Sequence, residues 1–299
     1  MNPALTWNLV KDVQQLFVYP FMVNAIEAGT TVALMAAVTG WFVVLRRQTF
    51  AAHSLSAMSF PGASGAALAG APLPVGYFLA CVIAAAAIAT GSRTGNRRNP
   101  SQQSAVIGAV QVVGFALGFL FLSLYGGVLE NLESLLFGSF LGITTGQVRE
   151  LLGVAFGALV FFAIAGRPLL TVSLDEVDAR ARGAPVRMLE IAFLLVLGLA
   201  VAATAQITGV LLVFALLVAP AAAAREFTAR IGVGIALSVV IGLLVTWVGL
   251  GLSYYTNYSV GFFVTSLAFG VYLVSRASHV LAHRREALGR FEAVRAAVS

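Results

Sequence analysis

The chain has 299 residues, 60% of them hydrophobic and only 10% charged, with a mean hydropathy of +0.94. A water-soluble fold cannot hide that much apolar surface, so the composition excludes soluble classes and implies an integral membrane protein. The formal charge of +6 is not a nucleic-acid signal, because the arginines flank apolar runs, where they orient a membrane protein. Long uninterrupted runs predict helices and not the short alternating segments of a porin-type barrel, so the expected fold is an all-α polytopic bundle of about nine (8–10) transmembrane spans. Cys81 is the only cysteine, which excludes an intrachain disulfide. No basic start followed by an apolar core precedes Tyr19, so no cleavable signal peptide is expected.

Residues 1–20, with Trp7, Phe17 and Tyr19 around Lys11 and Asp12, read as a segment lying at the membrane interface. A first span covers residues 21–45 and is closed by Arg46 and Arg47. Glu27 near its outer end is a cation contact or a carboxylate snorkelling to the headgroups. The second run, residues 50–71, holds His53, Ser54, Ser56, Ser59, Ser64 and Pro61 among many Gly and Ala. Polar groups at bilayer depth usually face a bundle interior or an aqueous path, and small residues let backbones approach. This run is therefore expected to be internal and to line whatever passes through. Pro72 and Pro74 turn the chain into a third span at residues 75–90, and Arg93, Arg97 and Arg98 then mark a cytoplasmic loop. After a fourth span at 105–125, residues 126–145 are too polar to cross; their Glu130 and Glu133 either attract cations at an entrance or are solvated loop acids.

A fifth span at 148–165 leads into a polar segment of about 167–187, placed inside by Arg167, Arg180, Arg182 and Arg187. Within it Ser173 is the expected cap of a short helix, with Asp175 and Glu176 in its first turn and Gly183 and Pro185 ending it. Further spans are expected at 188–205, 207–224, 231–252 and 258–274, followed by a basic helical tail at 277–299. With the N-terminus outside, this order puts every arginine cluster and the tail in the cytoplasm; Arg149 alone falls outside, beside Glu150.

Several of these pieces resemble one family. They are RRQTF followed by a polar stretch closing on Phe60, Pro61 and Gly62; the Leu136-Phe137-Gly138 turn; the loop SLDEVDARARGAP; and TGVLLVFALLVAPAAAARE. In that order they are similar to permease subunits of bacterial zinc/manganese-type ABC importers, and the resemblance runs over residues 21–274. It implies a permease domain at 21–276 in the bacterial plasma membrane, paired with a second permease subunit as an expected homodimer; the family's spacing is matched by Asp175, Ala179 and Gly183 and by Gly209, Leu211, Pro220 and Ala221. It further implies two cytoplasmic ATP-binding subunits, an extracellular metal-binding protein and a coupling helix containing Asp175, Glu176, Ala179 and Gly183. The chain itself lacks a phosphate-binding G-x-x-x-x-G-K-[ST] loop, so ATP hydrolysis is expected elsewhere and no cofactor is expected to be held permanently.

Many members of that family carry an Asp and a His four residues apart on one face of the second span, whereas the aligned positions here are His53 and Ala57. The expected path residues are His53, with Ser54, Ser56 and Met58 in support, and the expected cargo is zinc first and manganese second. Two alternatives stay open: a permease for a metal chelate such as a siderophore or corrinoid, and an intramembrane serine protease suggested by Gly62-Ala63-Ser64-Gly65.

Overall fold

A computed structural model describes residues 15–91, 100–125, 142–256 and 258–298. The helices are α1 (Pro20–Leu45), α2 (Thr49–Ala57), α3 (Ser59–Ala69), α4 (Leu73–Gly91), α5 (Pro100–Tyr125), α6 (Thr145–Leu174), α7 (Glu176–Ala181), α8 (Val186–Thr208), α9 (Val210–Phe227), α10 (Ile231–Tyr255) and α11 (Val260–Val298). No strand occurs among the described residues. The expected interfacial segment up to residue 14, the arginine loop at 92–99 and residues 126–141, with Glu130, Glu133 and the Leu136-Phe137-Gly138 turn, lie outside the described residues.

The expected count of nine spans is corrected to seven uninterrupted ones among the described residues: α1, α4, α5, α6, α8, α10 and α11 as far as Leu281. The second expected span divides at Met58 into α2 and α3, of 9 and 11 residues. Either piece is well short of the roughly 20 residues a spanning helix needs. Pro61 causes the division, since it has no N–H for the Ala57 carbonyl one turn back. The other shortfall is α9, which at 18 residues is at the lower end of spanning length and is largely buried.

Three pairs of helices meet at a single shared residue. Met58 ends α2 and starts α3, Asp175 ends α6 and starts α7, and Gly209 ends α8 and starts α9. Gly209 has φ +77 and ψ 160, a conformation suited to a residue without a Cβ. Helix α6 runs on through Pro168 to Leu174, nine residues past the expected end of the fifth span. Its start is fixed by a capping box: the Gln147 N–H donates to the Thr144 hydroxyl, and the Thr144 N–H donates to Gln147 Oε1 at 3.0 Å.

Helix α1 is the core element, packed against α6, α8, α9 and α10. Phe42 of α1 stacks on Phe162 of α6 with ring centroids 4.7 Å apart. From α10, the Ser238 hydroxyl donates to the Ala37 carbonyl at 3.3 Å and Trp247 Nε1 donates to the Thr30 hydroxyl at 2.9 Å. At the far end of α9, Glu226 lies 3.5 Å from both Arg276 and His279 of α11. The outward faces carry exposed Val112, Phe119, Phe156, Ile164, Leu244 and Phe262, the apolar surface that a bilayer covers.

The divided helix is held against its neighbours by backbone contact. A Cβ on Gly62 of α3 would collide with the Gly76 carbonyl of α4, and a Cβ on Gly76 would collide with the Gly62 carbonyl. Replacing Gly62 with Val is therefore expected to lower the stability of the purified protein by about 1–3 kcal/mol. Thermal unfolding in detergent measures this, and an unchanged midpoint would show that α3 and α4 can part without loss.

Candidate translocation path

Helix α1 ends in an elbow. The Arg46 N–H still bonds the Phe42 carbonyl at 2.9 Å, but Arg47 turns to a positive φ of 56. The Gln48 N–H returns to the Val43 carbonyl at 2.9 Å, and α2 starts at Thr49. Arg46 reaches back over the bundle, donating from Nη1 to the Ser173 hydroxyl at 3.2 Å and lying 5.0 Å above the Phe193 ring. Burial lowers its pKa from the ordinary guanidinium value, while Glu190 and Glu176 favour the charged form.

One turn into α2, His53 is exposed on the chain's surface and meets Phe214 of α9 edge-on, with ring centroids 5.1 Å apart. The other expected path residues turn elsewhere. Ser54 is fully buried and donates to Gln111 Oε1 of α5 at 2.7 Å. Ser56 donates at 2.7 Å to the His53 carbonyl on its own helix. Met58 packs its sulfur against Gly114 of α5. Ala57, where the family places a histidine, is buried. His53 thus stands apart from the residues expected to assist it. Glu27 is also exposed, but 19 residues before Arg46 on a helix places it roughly 28 Å from the elbow. Among the described residues no three His, Cys, Asp or Glu side chains gather where they could hold a metal ion.

Ser64 of the G-x-S-G sequence is buried and donates to the Phe60 carbonyl at 3.0 Å, a bond within its own helix. Ser59 and Cys81 approach to 3.6 Å, and the Cys81 thiol donates to the Leu55 carbonyl at 3.5 Å. These bonds join the divided helix to α4. Sequence reasoning missed Gln111 and Phe214. Gln111 did leave a signal, as a lone amide in the middle of an apolar span.

The segment expected to couple to the ATP-binding subunits forms as a bounded helix, with one change from expectation. Asp175, not Ser173, is the cap: its Oδ1 accepts from the Val177 and Asp178 N–H groups at 2.9 and 3.0 Å. Ser173 is still inside α6 and donates back to the Leu169 carbonyl. The end of α7 is a Schellman turn, in which the Gly183 N–H bonds the Arg180 carbonyl and the Ala184 N–H bonds the Ala179 carbonyl, both at 3.0 Å. Gly183 has φ +79. Glu176 pairs with Arg180, and Asp178 pairs with Arg182 at 2.8 Å. Ala179 is buried against Val172 and Val186, which fixes α7 to the ends of α6 and α8. Beside it lies a groove of about 750 Å³ lined by Arg180, Pro185, Arg187, Met188, Ile191 and Leu195.

With this geometry in hand, the comparisons with known proteins agree with one another. Residues 18–279 match the ABC 3 transport family. The manganese transport system membrane protein MntC of Halalkalibacterium halodurans is 30% identical over 237 residues, covering 79% of this chain and 80% of that protein. The chelated iron transport system membrane protein YfeC of Yersinia pestis is 29% identical over 259 residues, covering 87% of this chain and 86% of that one. Among solved structures, PsaBC from Streptococcus pneumoniae in complex with Fab superposes with a TM-score of 0.78 at 25% identity, covering 89% of this chain and 95% of that one.

The different surroundings of His53 and Ser54 give opposite expectations for stability. Ser54→Ala removes the donor to half-buried Gln111 and is expected to cost about 1 kcal/mol. His53→Ala, at an exposed position, is expected to stay within about 0.5 kcal/mol of the native chain. Thermal unfolding of the two purified variants compares them directly, and equal losses would count against this assignment.

Proposed function

The chain belongs to the ABC 3 transport family, and from that premise we propose that it is the membrane permease subunit of an ATP-driven importer of a divalent transition metal. The single observation that carries the cargo pathway is His53, exposed beside Phe214 while the serines of the divided helix are buried. Imidazole is a ligand for borderline metals, and a site with few ligands releases its ion readily. Manganese is the first cargo in this reading, because the name of the relative MntC specifies it. Zinc stands beside it on ligand chemistry, since an imidazole without neighbouring carboxylates suits the softer ion.

The partners follow from the same premise. A second permease subunit supplies the facing wall of the path, cytoplasmic ATP-binding subunits dock on α7, and a binding protein outside delivers the metal. The bounded, polar form of α7, capped at Asp175 and stopped at Gly183, supports its role as the docking element. The protein sits in the plasma membrane, with the N-terminus outside and the tail inside, an orientation supported by the arginines at 167–187 and 225–230. A second reading, passage of the metal as a chelate, draws on the name of the relative YfeC and on the missing carboxylate at position 53.

Uptake into proteoliposomes holding the permease, its ATP-binding subunits and its binding protein tests both readings. Manganese and zinc should each compete for one saturable uptake, and His53→Ala should lower it by about tenfold, the equivalent of about 1.4 kcal/mol. Uptake of a ferric chelate with no uptake of either free ion would replace the first reading with the second.

A further inference from the structure

We propose that the elbow formed by Arg46, Arg47 and Gln48 is the linkage between the coupling segment and the path helix α2, with Arg46 as its positioning residue. This rests on the permease reading of the chain, but the motion it requires is detectable without any cargo.

Three kinds of observation meet at the elbow. The first is strain: Arg47 has φ +56, the one positive φ at a non-glycine among the described residues. A bulky side chain is rarely found there, and such strain persists only where the surroundings impose it. The second is unmet hydrogen bonding. Arg46 Nε and Gln48 Oε1 are both buried without a partner. Buried polar groups are nearly always paired, so a donor and an acceptor left over within three residues mark a place held under constraint.

The third is reach. Arg46 donates to Ser173 in the last turn of α6, two residues before the Asp175 cap, and covers Phe193 of α8. Glu190 of α8 and Glu176, the first residue of α7, both act on its charge. One side chain therefore senses the three helices that converge on the coupling segment. On its other side the elbow is tied rigidly to α2, since the Ala52 N–H bonds the Gln48 carbonyl at 3.1 Å. His53 is the next residue. A displacement of α7 that pulls on Ser173, Glu176 or Glu190 moves the guanidinium, and through it the start of the helix that carries the imidazole. The planar guanidinium suits this task, because it meets a hydroxyl and a ring face at once while Glu190 and Glu176 favour its charged form.

The test uses the full chain assembled with its ATP-binding subunits in lipid nanodiscs. Spin labels are placed at Phe50→Cys on α2 and Met188→Cys on α8, in a Cys81→Ser background, and the probe is a non-hydrolysable ATP analogue. Both labelled positions are exposed. In the native elbow the analogue should shift the label distance by about 2 Å or more, the scale of helix shifts in switching proteins. Arg46→Gln should abolish the shift while the ATP-binding subunits still co-purify, and Arg46→Lys should restore part of it. Should Arg46→Gln fail to assemble, Arg47→Gly decides: glycine accepts the positive φ without strain, so the resting state is favoured and several-fold more analogue should be needed. An unchanged shift in Arg46→Gln, an unchanged analogue requirement in Arg47→Gly, or no shift in the native elbow would overturn the proposal. A native shift with no metal uptake by the same assembly would instead count against metal import and leave the linkage standing.

Discussion

Within a bilayer no water is available to a backbone group whose partner is missing, so every break in a helix has to be enclosed by protein. The division of the second apolar run at Met58 is governed by this constraint. Pro61 withholds a donor from the Ala57 carbonyl, and the break is sheathed by α4 and α5 on either side. Gly62 and Gly76 allow the α3 and α4 backbones to touch, Gly114 makes room for the Met58 sulfur, and the Cys81 thiol bonds the Leu55 carbonyl. The abundance of small residues in this run is thus a requirement of the break. His53 alone among its polar side chains is left facing outward.

In the proposed reading, that outward position works only in company. A single imidazole beside an aromatic ring is a sparse binding site, and among the described residues it belongs to no group of three potential metal ligands. Two copies of the chain facing each other across a path would double the imidazoles and leave the serines where they are, holding α2 to α5 and to itself. The chemistry then favours brief contact over tight capture, as passage demands. The end around α7, the proposed docking element, shows the opposite design. Around α7 almost every polar group is paired: Asp175 with two N–H groups, Glu176 with Arg180, and Asp178 with Arg182. In the proposed reading, one end of the permease holds its shape and the other lets go.

How much of this was legible in the sequence depended on whether a signal was local. Apolar runs gave helices in the expected places, and the acidic first turn and glycine stop of α7 were visible because capping acts over a few residues. Ser173 was mistaken for the cap because the fifth span was expected to end at residue 165; packing inside the bundle carries the helix on through Pro168 to Leu174. The division at Met58 had its cause in plain view in Pro61, yet a run of 22 residues, mostly apolar or small, read more simply as one span. Tertiary partners were not legible at all. Nothing near Ser54 announces Gln111, 57 residues away, and nothing near Arg46 announces Ser173, 127 residues away.

The single-residue junctions at Met58, Asp175 and Gly209 constrain how such a chain can vary over generations. A loop absorbs an added or lost residue locally, but a junction with no loop passes the change to the helix beyond it. One residue inserted beside Gly209 would rotate all that follows in α9 by about 100° about its axis, exchanging the face that meets His53 for one packed in the core. Length changes are therefore far cheaper elsewhere, and these three positions act as fixed points in the numbering of the fold.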